Sequence, residues 1–281
     1  MTRILSVIFF SFFIIISCTK KEPQKEIKLE PDEIGKKYYQ EGIVAMETGD
    51  FFYASKIFSD AETNFLNIEM AAKSSILSSY SFYRINFYEE SSQNLKRFIR
   101  TYPASNYIPY ANYLLAIISF EQILDEKRDL KPTRESKKLI LEYLEKFPDT
   151  EYALDLKFKL DLVNNQLAAK EMYVARYYIK TQKWIPAINR LKNVIENYDE
   201  TIFVEEALHR LVEIYYNLGL IDEANKAAKI LGYNYNSGEW YENTYALLNK
   251  DYKKEQIRLS KKSKKNEIGL VKRTINKILR K

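Results

Sequence analysis

Along most of the chain, apolar residues recur at three- and four-residue spacing, the period of an amphipathic helix, and the helices so marked fall in pairs. One pair opens with Tyr38, Gly42 and Ala45 and closes with Ala54, Phe58 and Ala61. Small residues at such positions let two helices approach, and large ones fill the space between them. Aligned on the small residue of the second helix, the pattern returns at Ala54, Ser91, Ser136, Ala187 and Ala224, at intervals of 37, 45, 51 and 37 residues. Helical hairpins stacked in series are the predicted architecture.

Unit ends repeat more plainly than unit middles. Tyr102-Pro103-Ala104-Ser105, Phe147-Pro148-Asp149-Thr150 and Tyr198-Asp199-Glu200-Thr201 share one scheme, in which an aromatic closes a helix and Ser or Thr caps the next. Gly49-Asp50 and Gly219 stand where the two helices of a unit turn, Pro186 stands in the opening turn of a helix, and residues 125–133 read as a surface insertion in unit three. Seven Gly and seven Pro are too few for a strand-and-turn protein of this length. The fold class is therefore all-α, a tetratricopeptide-like helical-hairpin solenoid of about five repeats, with insertions beyond the roughly 34-residue period of an uninterrupted array.

The two ends of the chain break the pattern. Met1-Thr2-Arg3 is followed by an apolar-and-serine run over 4–16, thirteen residues, short of the roughly 17 needed to span a bilayer. With Ile15-Ile16-Ser17-Cys18 this reads as a lipoprotein signal peptide over 1–17, cut before a lipidated Cys18. Cys18 is also the single cysteine, which excludes a disulfide within one chain. Thr19 stands where an aspartate would argue for inner-membrane retention, so the expected location is the periplasmic face of the outer membrane. Residues 18–32 form a charged tether with too few apolar positions to offset their ordering entropy, 33–250 the repeat domain and 251–281 a tail.

That tail holds twelve Lys/Arg against three Asp/Glu, so the net charge of +6 conceals a body of −3 and a tail of +9. Within it Ile268, Val271, Ile275 and Ile278 keep helical spacing among Lys272, Arg273, Lys277 and Arg280. An amphipathic basic helix of this kind suits anionic lipid or an acidic partner, and a frayed soluble tail is an equal reading. An exported lipoprotein meets no nucleic acid, so the basicity is not assigned to nucleic-acid binding.

Catalytic chemistry finds little to work with. His209 is the single histidine and lies within a helical run, without a nucleophile motif; His/Cys metal sites lack their ligands, and no Gly-rich phosphate loop occurs. Adjacent carboxylates such as Glu205-Glu206 point in different directions on a helix. No enzyme, metal or cofactor is expected. Among the 23 Tyr and 15 Phe, those at Tyr38, Phe58, Tyr143, Tyr178 and Tyr215 read as core, and the remainder are free to line a groove for extended peptides or partner helices.

From Phe147 the residues say more than a generic repeat does. Phe147-Pro148-Asp149-Thr150-Glu151-Tyr152-Ala153, Asn165-Gln166-Leu167-Ala168-Ala169-Lys170-Glu171-Met172 and Trp184-Ile185-Pro186-Ala187-Ile188-Asn189-Arg190, continued by Leu218-Gly219-Leu220-Ile221-Asp222-Glu223-Ala224 and Leu231-Gly232-Tyr233 to Tyr241, resemble the BamD (ComL/YfiO) family of outer-membrane β-barrel assembly lipoproteins. The resemblance spans residues 33–248. It implies a lipoprotein bound to a BamA-like barrel subunit through that subunit's periplasmic repeat domains, alongside other assembly lipoproteins, with N-terminal repeats that receive unfolded outer-membrane proteins. Asn189 and Arg190 fall at the family's barrel-subunit contact; on composition alone Arg190 reads equally as a solvated arginine. Phe65 falls where the family has a substrate-contacting aromatic, although Leu66 follows it where the family has proline. A tetratricopeptide lipoprotein serving as scaffold or pilot for a secretion or envelope-division complex is the alternative, and the block from Asn165 to Arg190 argues against it.

Overall fold

A computed structural model describes residues 30–125 and 128–249; Cys18, the preceding signal and the basic tail lie outside the described residues. The described chain is helical: α1 (Pro31–Glu47), α2 (Phe51–Asn64), α3 (Ile68–Arg84), α4 (Tyr88–Thr101), α5 (Ile108–Glu121), α6 (Lys131–Lys146), α7 (Glu151–Lys180), α8 (Trp184–Asn197), α9 (Val204–Asn217), α10 (Ile221–Asn234) and α11 (Glu239–Leu248). The first ten pair into five hairpins, and α11 packs on α9 and α10 at the end of the array. The protein is an all-α solenoid of tetratricopeptide-like hairpins.

Each second helix carries its small residue at the hairpin contact: Ala54, Ser91, Ser136, Ala187 and Ala224 are all fully buried. Seven residues further on, two turns along the same face, Ala61, Phe98, Tyr143, Val194 and Leu231 are buried as well. Contact between small and large is closest in unit one, where a Cβ added to Gly42 would lie 2.7 Å from the Phe58 ring. The core runs on from unit to unit, because Tyr39, Leu77, Tyr83 and Tyr198 each pack against two neighbouring clusters.

Helix α3 uses serine as its small residue. Ser74, Ser75, Ser78, Ser79 and Ser81 are buried, and their hydroxyls are satisfied inside the packing. Ser78 donates across to the Ser55 carbonyl of α2 at 2.8 Å, and Ser91 of α4 donates to the Ser79 carbonyl at 2.8 Å. Two flanking helices thus come close to α3 without stranding a buried polar group.

Turn chemistry follows the sequence in unit one, where Gly49 adopts φ +84° and the Asp50 carboxylate accepts from the Tyr53 amide at 3.0 Å. Gly219 takes φ +74° at the corresponding turn of unit five. Two expectations are corrected. The insertion of unit three ends at Leu130, because Lys131-Pro132-Thr133 opens α6, where proline in the first turn gives up no helical hydrogen bond. The hydroxyls of Thr150 and Thr201 do not cap the following helix; they donate back to the Phe147 and Tyr198 carbonyls at 3.0 and 2.7 Å, closing the end of the preceding helix.

Candidate protein-binding surfaces

First helices of successive units touch one another, α3 with α5 and α5 with α7, so they line one face of the array. Between α1, α3, α5 and the start of α7 this face opens into a cavity of about 670 Å³, walled by Met46, Ile76, Leu77, Tyr80, Tyr107, Tyr110 and Tyr152. The Tyr152 ring stacks on Tyr113 at 4.7 Å between centroids and meets Tyr110 at 5.8 Å. Two carboxylates hold rings that pack next to the wall: Glu121 accepts from the Tyr83 and Tyr88 hydroxyls at 2.7 and 2.8 Å, and Asp155 accepts from Tyr113 at 2.9 Å.

Burial first, and then the neighbouring carboxylates, push the Tyr83 and Tyr113 phenols well above their ordinary range; burial does the same to Tyr110. All three stay neutral at any physiological pH. The cavity wall is aromatic and mostly apolar, with Glu151 at its edge and the Arg84 guanidinium donating to the Tyr80 hydroxyl at 2.9 Å. Such a groove suits an extended peptide with apolar or aromatic side chains.

Phe65 closes α2, is not among the residues that wall this cavity and is 8% exposed. Its ring lies 3.0 Å from where a Gly35 side chain would begin, and 6.4 Å from the Tyr39 ring. The Asp32 carboxylate fastens the start of α1 to the same turn by accepting from the Leu66 amide at 2.7 Å. Beside Phe65, Leu66 and Ile68 are each 74% exposed. The aromatic is thus a packing residue between α1, α2 and α3, and the exposed apolar surface beside it belongs to its neighbours.

Arg190 sits three units away, on α8. Its guanidinium donates to Glu171 of α7 at 3.0 and 3.3 Å, with 46% of the Arg190 side chain and 13% of the Glu171 side chain exposed. Asn189 beside it is exposed. The pair joins the two helices of one unit and leaves half of the cation facing solvent.

Beyond it the charges continue across units. Arg176 of α7 makes a two-point pair with Glu206 of α9, which also meets Arg210 at 3.5 Å. Arg210 pairs with Glu213 at 2.7 Å, and His209 lies 3.4 Å from the same carboxylate while its other ring nitrogen meets the Thr244 hydroxyl of α11 at 2.7 Å. The single histidine is accordingly a buried tie between α9 and the terminal helix. Among the described residues no group of three or more His, Cys, Asp or Glu could hold a metal ion, and no helix is long and apolar enough to cross a membrane.

Sequence reasoning passed over the two cross-unit pairs, Glu62–Arg97 and Arg176–Glu206. Their partners stand 35 and 30 residues apart, close to one repeat. A carboxylate and an arginine one period apart on adjacent units was the available signal.

The sequence profile of the YfiO family, described as outer membrane lipoproteins, matches residues 31–230. This chain belongs to that family. It is 37% identical to the outer membrane protein assembly factor BamD of Caulobacter vibrioides, over 82% of this chain and 74% of that one. Against the BamD of Rickettsia prowazekii it is 36% identical, over 88% of this chain and 97% of that one. The BamD of Neisseria meningitidis is 26% identical over 84% and 92%. The family span begins at the first residue of α1 and ends inside α10. It contains Phe65, Asn189 and Arg190 and leaves out α11 and the basic tail.

Proposed function

We propose that this chain is a non-enzymatic lipoprotein component of the outer-membrane β-barrel assembly machinery, anchored through Cys18 at the periplasmic face. In this reading it acts by docking. Its later repeats hold a BamA-like barrel subunit through that subunit's periplasmic repeat domains, with Asn189 and Arg190 in the contact, and its first repeats receive unfolded outer-membrane proteins.

The observation that carries the reading is the open tyrosine-lined groove of units one to three in a chain whose relatives are named outer membrane protein assembly factors. A peptide laid along it would bury apolar side chains between rings that are already ordered, so little side-chain entropy is lost on binding. Phe65 fixes the contact of α1 with α2 in the first unit. The half-exposed Arg190 retains donors for an acidic group on a partner while Glu171 keeps it oriented.

Affinity purification from detergent-solubilised outer membranes tests the assignment. Recovery of a large barrel protein with periplasmic repeats is the expected result. Recovery of a secretin or a division complex in its place would overturn it.

A further inference from the structure

Helix α7 has two apolar faces. Ala153, Leu156, Val163 and Leu167 are buried against the array. At 100° per residue, Leu154, Phe158 and Leu162 fall on the opposite side, and they are 76, 62 and 43% exposed. The stripe runs on into an open cavity of about 790 Å³, where Leu162 and Ala169 face Leu124 and Ile202, the latter two 50 and 79% exposed. A helix apolar on both faces is one that something covers on both sides.

The border of the stripe is acidic. Glu151 and Asp161 lie along it on α7, against Lys157, while Asp155 is already paired with Lys159 at 2.8 Å, and Asp161 shares a small cleft with Asp199 and Glu200 of the α8–α9 connection. The complementary charge is in this same chain: residues 251–281 carry a net +9, with Ile268, Val271, Ile275 and Ile278 at the spacing of one helical face. That apolar set spans about three turns, against about two for Leu154, Phe158 and Leu162 before the stripe runs on to Ala169. From Asn249 to Ile268 there are 19 residues, an extended reach of roughly 60 Å, against a length of about 45 Å for the 30-residue α7.

We propose that residues 268–278 of this chain lie along the Leu154–Phe158–Leu162 stripe of α7, their apolar face on the stripe and their lysines and arginines toward its acidic border. The contact combines apolar burial with exposed ion pairs, so added salt weakens it.

Hydroxyl-radical footprinting of the full chain in detergent tests this, comparing it with Ile275→Asp, a change beyond α11 that leaves the array's own packing residues in place. Labelling of Phe158 and Leu162 is expected to rise several-fold in the variant, and in the unaltered chain with added salt, while Phe52 on α2 stays constant as the exposed control. Equal labelling of Phe158 in both chains overturns the proposal. So does protection of Phe158 that grows with protein concentration, which would make the cover a second copy. Equal Phe158 labelling combined with shielding of Ile275 only by anionic vesicles would also overturn it, assigning the tail to the membrane.

Discussion

Arg97 of α4 clasps Glu62 of α2 through two hydrogen bonds of 2.6 Å, joining the second helices of units one and two. The carboxylate is 6% exposed and also accepts from the Tyr102 hydroxyl at 3.0 Å, while Arg97 reaches on to Ser75 at 3.2 Å. Arg97→Ala strands that carboxylate. Breaking a buried pair costs about 3–5 kcal/mol, and with Arg97 41% exposed we expect about 2–3 kcal/mol in urea unfolding. The double change Glu62→Leu with Arg97→Leu should recover most of the loss, since no charge is then buried alone. A double variant as unstable as Arg97→Ala would show that the pair's geometry, and not the stranded charge, is what matters.

The same reasoning separates what could be read in the sequence from what could not. Ala54, Ser91, Ser136, Ala187 and Ala224 were legible because the hairpin contact imposes a local, periodic demand for small side chains, and all five are buried. The Tyr83–Glu121, Tyr113–Asp155 and Glu62–Arg97 contacts were not, because each joins residues 35 to 42 positions apart whose meeting depends on how units stack. Thr150 and Thr201 were recognised as punctuation, but a hydroxyl at a junction can bond forward or backward, and the aromatic carbonyl three residues before won. The groove followed from having aromatics in excess of the core; which of them line it required the fold.

Stability should fall with acid in a defined window. Hydrogen bonds from His209 and then Arg210 hold the Glu213 carboxyl down to about 2, below its ordinary 4.5, against an opposing effect of burial. A depressed carboxylate contributes stability that is fully present above its unfolded value and is lost as pH falls through the folded one, here from about 4.5 to about 2. With the side chain a third exposed, solvent screening reduces this to about 1–2 kcal/mol. Glu213→Gln should flatten the acid limb of a stability-against-pH curve. A residual slope will remain from Glu206, which burial raises but Arg176 and Arg210 bring below its ordinary value. An unchanged slope in Glu213→Gln would refute the assignment.

Gly42→Ala should destabilise unit one although alanine is the better helix former. The added Cβ would lie 2.7 Å from Cε1 of the fully buried Phe58 ring, which in turn packs on Tyr39 at 5.7 Å. Overpacking of this kind costs about 1–3 kcal/mol, more than the roughly 1 kcal/mol gained in helix propensity. Thermal unfolding measures the balance, and a raised Tm would mean the ring moves aside freely.

Phe65 and Tyr80 should respond differently to truncation. Phe65→Ala empties a buried site and is expected to cost about 3 kcal/mol of stability, with any loss of substrate binding following from the loosened packing of the first unit. Tyr80→Ala removes a half-buried ring facing the cavity. Its expected effect is about tenfold weaker binding of a peptide carrying the C-terminal strand of an outer-membrane barrel protein, the equivalent of about 1.4 kcal/mol, with a much smaller change in unfolding. Binding that survives Tyr80→Ala intact would move the receiving surface away from this groove.

Arg190 offers the cleanest division between a structural and a docking role. As an ion pair inside one unit, with Arg190 46% but Glu171 only 13% exposed, it should contribute about 1–2 kcal/mol to folding, less than the more deeply buried Glu62–Arg97 pair. A partner's carboxylate that desolvates the same guanidinium makes it worth more, since truncating one member of a buried interfacial charge pair costs about 2–5 kcal/mol, mostly through faster dissociation. Arg190→Ala is therefore expected to lower the unfolding midpoint only modestly, as Glu171→Gln should, while capture of the barrel subunit falls by tenfold or more at about 1.4 kcal/mol per decade. Arg190→Lys keeps the charge but loses the planar guanidinium donors left over from Glu171 and should recover only part of the capture. Full capture by Arg190→Ala would remove this residue from the contact and leave it as the solvated partner of Glu171.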